Sequence, residues 1–173
     1  NFTGRMYSLK AAFAQSINTI AVQVAQEVGI HNIAVTAKKM GIRTPLEETP
    51  ALSLGASDVS LLELVNAYST VINEGMAHSP VLVTKIEDKD GHVIYRHKPD
   101  QVQAIPYESA FLMTEMLKGG LTERGGTTQA LWSFDLFNYN TEFGGKTGTS
   151  SNHSDAWFVG VTPKLIAGAW VGG

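Results

Sequence analysis

Apolar residues recur at helical spacing through the first part of the chain. Ser8 is a suitable N-cap for a short helix, rich in Ala and Leu, that ends at Ala14. The same spacing predicts two further helices, Ile17–Val28 and Asn32–Met40. A glycine follows each of them, and glycine readily adopts the left-handed backbone with which many helices end. We therefore predict that this part of the chain is helical.

The middle of the chain continues with helices whose boundaries are well marked. Arg43–Ala51 contains two prolines and should be an irregular connection. After it, Ser60 and Glu63 have the spacing of a capping box, in which each side chain accepts a hydrogen bond from the other residue's backbone N–H. The helix that they open should reach Asn73. Another helix is predicted for Pro106–Lys118, and the glycine pair that follows it, Gly119-Gly120, should stop it.

Two stretches change to the alternating pattern of strands. A small hairpin is predicted for Val81–His97, around the turn-forming pair Asp90-Gly91. A three-strand antiparallel meander is predicted for Thr141–Val171, and Trp157 and Trp170 within it are expected to pack in the core. Its strands are Thr141–Thr149, Ala156–Thr162 and Leu165–Val171. Helices followed by a strand meander indicate an α+β fold.

Composition excludes several classes of function. The 173 residues, 43% hydrophobic and 17% charged, suffice for one domain with a core, and the formal net charge of −3 argues against a nucleic-acid-binding surface. The lack of cysteine excludes disulfides and thiolate metal sites. We expect no metal and no cofactor, because the histidines show neither metal-ligand spacing nor a nearby carboxylate pair. They are His31, His78, His92, His97 and His153.

The first candidate for chemistry is Lys146-Thr147-Gly148-Thr149, on a predicted strand. Lys146 and Gly148 should face one side of the strand and the two threonines the other. At a sheet edge, Gly148 would let an extended peptide approach closely, while the ammonium and hydroxyl groups could hold a carboxylate. The alternative is a glycine-flanked turn with a solvated lysine, and the four residues alone do not decide between the two.

The second candidate is Ser16-Ile17-Asn18, where one predicted helix stops and the next begins. Ser16 can donate or accept a hydrogen bond, and the Asn18 amide can do both at once. The alternative is ordinary N-capping of the following helix, which both residue types favour. Ser-x-x-Lys, a Ser-x-Asn triplet and Lys-Thr-Gly form the joint signature of penicillin-binding proteins and class A β-lactamases, and the last two occur here in the expected order.

The surrounding residues resemble the transpeptidase domain of class A, bifunctional penicillin-binding proteins along nearly the whole chain. Ile17 stands where β-lactamases have Asp, which favours the penicillin-binding proteins. The similar segments are Gln15–Val22, Leu52–Gly55, Val59–Tyr68, Gly144–Thr149, Asp155–Gly160 and Ala167–Gly172.

The resemblance implies D,D-transpeptidation, in which a serine attacks the D-Ala-D-Ala bond of a peptidoglycan stem peptide, and acylation by β-lactams that mimic this bond. Ser16 would relay protons, Asn18 would contact the substrate amide, and Lys146 would hydrogen-bond Ser16. Thr147 and Thr149 would bind the substrate carboxylate, and the Thr149 N–H would be one oxyanion donor.

The chain departs from the pattern in one respect: no serine is followed by lysine three positions later. The nucleophile is therefore expected upstream of Asn1, together with the first strands of the domain, so that residues 1–173 would be a partial transpeptidase domain, inactive alone. Its partners would be stem peptides, β-lactams, the N-terminal half of its own domain, or a second copy in a strand-swapped or edge-paired homodimer. The resemblance also implies a periplasmic site and a membrane-anchored parent with a glycosyltransferase domain.

Two other functions stay open at this point. One is a non-catalytic peptide-binding or scaffolding module of the same fold, and the other is a hydrolytic relative, a β-lactamase or D,D-carboxypeptidase. Residues Glu123–Gly126 are expected to form a mobile loop at the rim of the cleft.

Overall fold

The structure is a computed structural model that describes residues 4–135, 142–151 and 154–172. Its helices are α1 (Leu9–Ala14), α2 (Asn18–Val28), α3 (Ile30–Lys39), α4 (Leu61–Ile72) and α5 (Tyr107–Thr122). Short 3₁₀ turns span Pro50–Leu54 and Gln129–Ser133. The strands are β1 (Met76–Ala77), β2 (Lys85–Glu87), β3 (Val93–Arg96), β4 (Val102–Gln103), β5 (Gly144–Thr149), β6 (Asp155–Val161) and β7 (Ile166–Gly172).

The three longest strands form the predicted antiparallel meander, in the order β5-β6-β7. In its register Lys146 lies opposite Val159 and Gly148 opposite Trp157. The predicted first residue of the meander, Thr141, lies outside the described residues. The α+β class and the meander are confirmed. Each of its three strands begins and ends within three residues of the predicted positions.

The sheet packs against α4 and α5, and the core lies between them. Val71 of α4, Leu117 of α5 and Val161 of β6 form its buried centre. Glycines allow the close approach of these layers. A side chain at Gly144 would meet the backbone of Leu117, and one at Gly168 would lie 2.5 Å from Val65.

The helix-end signals read from the sequence are confirmed. The Ser8 hydroxyl accepts a hydrogen bond from Ala11 N–H, and Ser60 and Glu63 form both bonds of the capping box. Gly29, with φ of 91°, ends α2 and at the same time precedes α3, which therefore starts two residues earlier than predicted. Both helices otherwise match the apolar pattern.

The predicted stop at Gly119 and Gly120 is wrong, because α5 continues through both glycines to Thr122. A Cβ atom at Gly120 would lie 2.6 Å from Thr128 Oγ1 and 3.0 Å from the carbonyl oxygen of Gly145. The glycine is needed there for close packing of the helix against β5 rather than for a turn.

The hairpin around Asp90-Gly91 is confirmed, but it is shorter than predicted. β2 and β3 pair antiparallel, whereas residues 81–84 lie outside any strand. A two-residue ladder between β1 and β4, which the sequence pattern did not indicate, closes the segment between α4 and α5.

β7 leaves apolar surface uncovered at one side of the sheet. Within the described residues it pairs only with β6, and Val171 on it is 73% exposed. The expectation that Trp170 packs in the core is wrong, because this side chain is 49% exposed on the edge strand and donates its Nε1–H to Asp155. None of the described helices combines the length and the hydropathy needed to cross a bilayer.

Candidate active site

Ser16 occupies an unusual backbone position at the end of α1. Its N–H donates to Phe13 O, and the N–H of Ile17 donates to Ala12 O, which together form a Schellman motif. The residue in the middle of this motif is left-handed, and Ser16 has φ of 52°. Glycine normally takes this position, because a Cβ atom makes the left-handed backbone unfavourable by roughly 1–2 kcal/mol. The Ser16 side chain is exposed at this turn.

Lys146 approaches Ser16 from the edge strand β5. Its Nζ donates hydrogen bonds to Ser16 Oγ and, over 2.8 Å, to the carbonyl oxygen of Thr147. The two residues are 130 positions apart in the sequence, so the contact joins the end of α1 to the three-stranded sheet. The two motifs that the sequence singled out therefore meet in space.

The surroundings of the Lys146 ammonium group are partly apolar. Its Nζ lies 5.7 Å from the centre of the Phe13 ring, a cation–π distance. Burial lowers the pKa of Lys146 below its ordinary value, because a partly desolvated ammonium group is less stable than a solvated one. Among the described residues, no carboxylate lies within ion-pair distance of it to counter this effect.

The alternative that Ser16 and Asn18 merely cap α2 is not what the structure shows. The N-cap of α2 is Ile17, and no side-chain hydrogen bond caps this helix. Asn18 is the first residue of α2, exposed, and its amide makes no hydrogen bond with the described residues. Both side chains at this junction are thus available to a ligand.

The remaining residues of the β5 motif differ in their surroundings. Thr147 Oγ1 donates to Thr127 Oγ1 over 2.7 Å, while Thr149 is exposed at the end of the strand. A Cβ atom at Gly148 would lie 3.3 Å from Trp157 Cβ, so the strand is closely backed on that side. β5 has β6 on one side only, and its other edge is unpaired within the described part of the chain.

The sequence did not single out Thr127, although this residue touches both motif segments. Besides the bond to Thr147, its backbone N–H donates to Ala14 O over 3.0 Å. The nearby Gln15 Nε2 donates to Arg124 O over 2.9 Å, so the loop predicted for residues 123–126 is held against the end of α1. The glycine pair before Thr127 was the available signal, because adjacent glycines indicate close backbone packing.

Asp155 fixes the far end of the same sheet. Its carboxylate accepts hydrogen bonds from Trp170 Nε1 and from the hydroxyls of Ser150 and Ser154. The Trp170 bond above all, then the Ser150 bond, holds the pKa of Asp155 below its ordinary value, against the opposing effect of burial. These bonds tie the ends of β5, β6 and β7 together and give Asp155 a structural role.

The expectation that no histidine has carboxylates nearby is wrong for His92. Asp88, Asp90 and His92 lie together, with ligand atoms within 4.8 Å of one another, in the exposed turn between β2 and β3. The Asp88 carboxylate accepts bonds from the backbone N–H groups of Asp90 and His92, which is the usual arrangement of an Asx turn. The cluster is accounted for by this turn.

The arrangement at Ser16 and Lys146 is suited to moving a proton. A hydroxyl that accepts a hydrogen bond from an ammonium group keeps its own proton free to donate. The Ser-x-x-Lys pattern is absent from the 173 residues.

The sequence matches the model of a known family. The profile of the penicillin binding protein transpeptidase domain matches residues 2–170. Penicillin-binding protein 2D of Bacillus subtilis is 31% identical over 99% of this chain, and penicillin-binding protein 1A of Aquifex aeolicus is 33% identical over 95%. The chain spans about a quarter of the length of these relatives, 25% and 22%.

Solved structures agree with this likeness at the level of the fold. Penicillin-binding protein 1A from Haemophilus influenzae superposes with a TM-score of 0.84 at 23% identity, covering 99% of this chain and 33% of that one. The imipenem acyl-enzyme of penicillin-binding protein A from M. tuberculosis gives a TM-score of 0.78 at 23% identity, covering 98% and 43%. The chain belongs to the transpeptidase domain family of the penicillin-binding proteins.

Proposed function

We propose that this chain is the C-terminal part of a D,D-transpeptidase domain, which cross-links peptidoglycan by passing the acyl group of a D-Ala-D-Ala stem peptide to an amine. The contact between Lys146 Nζ and Ser16 Oγ carries the proposal, because it places an ammonium group and a hydroxyl beside an open strand edge. The family membership supports the reaction class.

The reaction needs a nucleophile that this chain does not hold. We take it to be the serine of a Ser-x-x-Lys segment elsewhere in a longer protein, consistent with the chain's share of its relatives' length. That serine gives its proton to the lysine of the same Ser-x-x-Lys segment and attacks the carbonyl carbon between the two D-alanines, and the C–N bond to the terminal D-alanine breaks. The product is an acyl-enzyme and a free amine.

Ser16 and Lys146 have complementary tasks in this step. The departing nitrogen takes the proton of Ser16 Oγ, and the Lys146 ammonium group stabilises the oxygen and returns a proton to it. The lowered pKa of Lys146 favours this return, because it reduces the free energy needed to remove a proton from the ammonium group. The acceptor amine gives up its proton along the same path in reverse.

The neighbouring groups would hold the substrate. The free amide of Asn18 is suited to the peptide amide, and the hydroxyls of Thr147 and Thr149 to the terminal carboxylate. Gly148 lets the substrate backbone approach β5, and the Thr149 N–H is one oxyanion donor. β-Lactams would acylate the same serine. An imipenem acyl-enzyme complex of penicillin-binding protein A from M. tuberculosis, which has a similar fold, supports this expectation. The reaction places the working protein outside the cytoplasmic membrane, where stem peptides are.

The test is the release of D-alanine from a stem peptide that ends in D-Ala-D-Ala, with a longer form of the protein that includes the Ser-x-x-Lys segment. We expect D-alanine release, and a cross-linked product when an amine acceptor is added. Release with hydrolysed product only, whether or not the amine is present, would instead support the carboxypeptidase alternative. Binding of the peptide without any release would support the scaffolding alternative.

A further inference from the structure

Thr127 links the two segments that carry the proposed chemistry. Its backbone N–H donates to the carbonyl oxygen of Ala14, two residues before Ser16. Its side-chain Oγ1 lies 2.7 Å from Thr147 Oγ1, in the residue directly after Lys146. Thr127 therefore connects the end of α1 to strand β5, through one backbone hydrogen bond and one side-chain hydrogen bond.

The loop that carries Thr127, residues 123–128, is fixed at several points. Gln15 Nε2 and Gln129 Nε2 donate to the carbonyl oxygens of Arg124 and Glu123, over 2.9 and 2.7 Å. Gly126 is buried, and a Cβ atom there would lie 2.1 Å from the carbonyl oxygen of Gly120. These contacts hold the loop against α1 and α5, so that the Thr127 side chain has a defined place beside β5.

We propose that Thr127 is a positioning residue, which orients the Thr147 hydroxyl toward the carboxylate of the substrate. The inference rests on the proposed function and adds to it a residue that does not itself touch the reacting atoms. A threonine hydroxyl has one proton and two acceptor sites. Without a ligand, Thr147 donates this proton to Thr127. When a substrate carboxylate accepts the hydrogen bond from Thr147 Oγ1 instead, the Thr127 hydroxyl donates a hydrogen bond to Thr147 Oγ1.

The exchange of donor and acceptor has two consequences. The Thr147 side chain keeps one rotamer with and without ligand, because it has a hydrogen-bond partner in both states. A hydroxyl that accepts a hydrogen bond is also a stronger donor to a third group, through mutual polarisation. Thr127 is itself exposed, which places the pair at the surface that a substrate can reach.

Thr127→Val isolates the side-chain bond. Valine has the shape of threonine without its hydroxyl, and the backbone N–H that binds Ala14 is retained. Thr127→Ser restores a hydroxyl. Thr122→Val, at the exposed end of α5, is the matched control, because among the described residues the Thr122 hydroxyl donates a hydrogen bond to the carbonyl oxygen of Lys118 in its own helix. The wild type and the three variants would all be made in the longer form that includes the Ser-x-x-Lys segment.

The measurement is the acylation rate against concentration for a penicillin with its free carboxylate and for the methyl ester of the same penicillin. We expect Thr127→Val to weaken the apparent affinity for the free acid by about 3- to 10-fold, the range for one hydrogen bond, with little change in the limiting rate. The ester should react equally with wild type and variant. Thr127→Ser should recover most of the affinity, and Thr122→Val should match wild type.

Three outcomes would overturn the inference. An unchanged affinity of Thr127→Val for the free acid would show that the hydroxyl is not used. Equal losses for acid and ester, or a loss that Thr127→Ser does not recover, would assign Thr127 a purely structural role. Failure of the proposed acyl-transfer chemistry is distinct, because the wild-type longer form would then not be acylated at all, whereas a hydrolytic relative would still be acylated and would differ only in the D-alanine release assay.

Discussion

Two serines at helix ends show how differently the same side chain is used in this domain. Ser60 precedes α4 with an extended backbone, and its hydroxyl accepts a hydrogen bond from Glu63 N–H, three residues away. Ser16 follows α1 with a left-handed backbone, and its hydroxyl binds Lys146, 130 residues away. Ser60 satisfies its own helix, whereas Ser16 takes a position suited to glycine and turns its hydroxyl elsewhere.

The difference agrees with the proposed catalytic role of Ser16, because this residue keeps an unfavourable backbone conformation where Ser60 stabilises its helix. A serine at the centre of a Schellman motif is less stable than glycine by roughly 1–2 kcal/mol, and such strain persists mainly at functional sites. The partly desolvated ammonium group of Lys146 adds a second unfavourable feature at the same place. Replacing Ser16 by glycine should therefore lower activity and raise stability, whereas replacing Glu63, the partner of Ser60, should lower stability and leave activity unchanged.

Ser16→Gly should have the largest effect on activity while the fold gains stability. Loss of the proton-donating hydroxyl should slow acylation by on the order of 100–1000-fold in the longer form. Relief of the left-handed strain should raise the free energy of unfolding by roughly 0.5–1 kcal/mol. Ser16→Ala keeps the strain and should be equally slow but less stable than the glycine variant. Penicillin acylation and urea unfolding check both parts, and a less stable glycine variant would contradict the strain.

Lys146→Met should also slow acylation, by on the order of 100-fold, without loss of stability. The sign of its pH effect follows from the lowered pKa. Between that pKa and the ordinary lysine value of 10.5, the unfolded protein binds more protons than the folded one, so wild-type stability increases with rising pH in this window. The variant should lack this gain. Unfolding midpoints between pH 8 and about pH 10.5 provide the comparison, and parallel curves would contradict burial of the charge.

Gly120→Ala should destabilise the domain although alanine is the better helix former. Its Cβ atom would meet the backbone of Gly145 and the buried hydroxyl of Thr128, and such overpacking lowers stability by roughly 1–3 kcal/mol. Gly119→Ala is the matched control. The atoms nearest to its Cβ atom would belong to the flexible side chains of Lys10 and Glu123, so helix propensity should dominate and stability should hold or rise. Equal unfolding midpoints for the two variants would contradict the close packing of α5 on β5.

Glu63→Gln should have the smallest effect, a lower melting temperature with unchanged acylation. The Glu63 carboxylate accepts bonds from Ser60, from the Thr44 hydroxyl and from the N–H groups of Thr44 and Arg43, which lower its pKa to about 2. Its contribution is therefore present above the ordinary pKa of 4.5 and is lost as the pH falls toward 2. Melting curves from pH 6 to about pH 2 should converge for wild type and variant. Glu108→Gln, in the first turn of α5, is the control.

The capping box could be predicted from the sequence because its partners are three residues apart. Ser60 and Glu63 meet whenever α4 forms, so spacing alone indicates the contact. The same is true of Ser8 at α1 and of the hairpin around Asp90-Gly91. In each of these places the local pattern and the tertiary structure agree.

The candidate site could be predicted only by its likeness to a family. Nothing in the spacing of Ser16 and Lys146 indicates a contact, because the chain between them must first fold. Thr127 was missed for the same reason, since its partners Ala14 and Thr147 lie far away in the sequence. Gly120 was misread because a glycine that stops a helix and one that admits a neighbouring strand have the same local sequence.

On the proposed function, the chain holds one half of an active site, with the proton-transfer groups Ser16 and Lys146 but without the nucleophile. Intact-mass measurement after exposure to a penicillin tests it on two samples, the 173-residue chain and the longer form with the Ser-x-x-Lys segment. We expect no adduct on the chain alone and one stoichiometric adduct on the longer form. A covalent adduct on the chain alone, or none on the folded longer form, would contradict it.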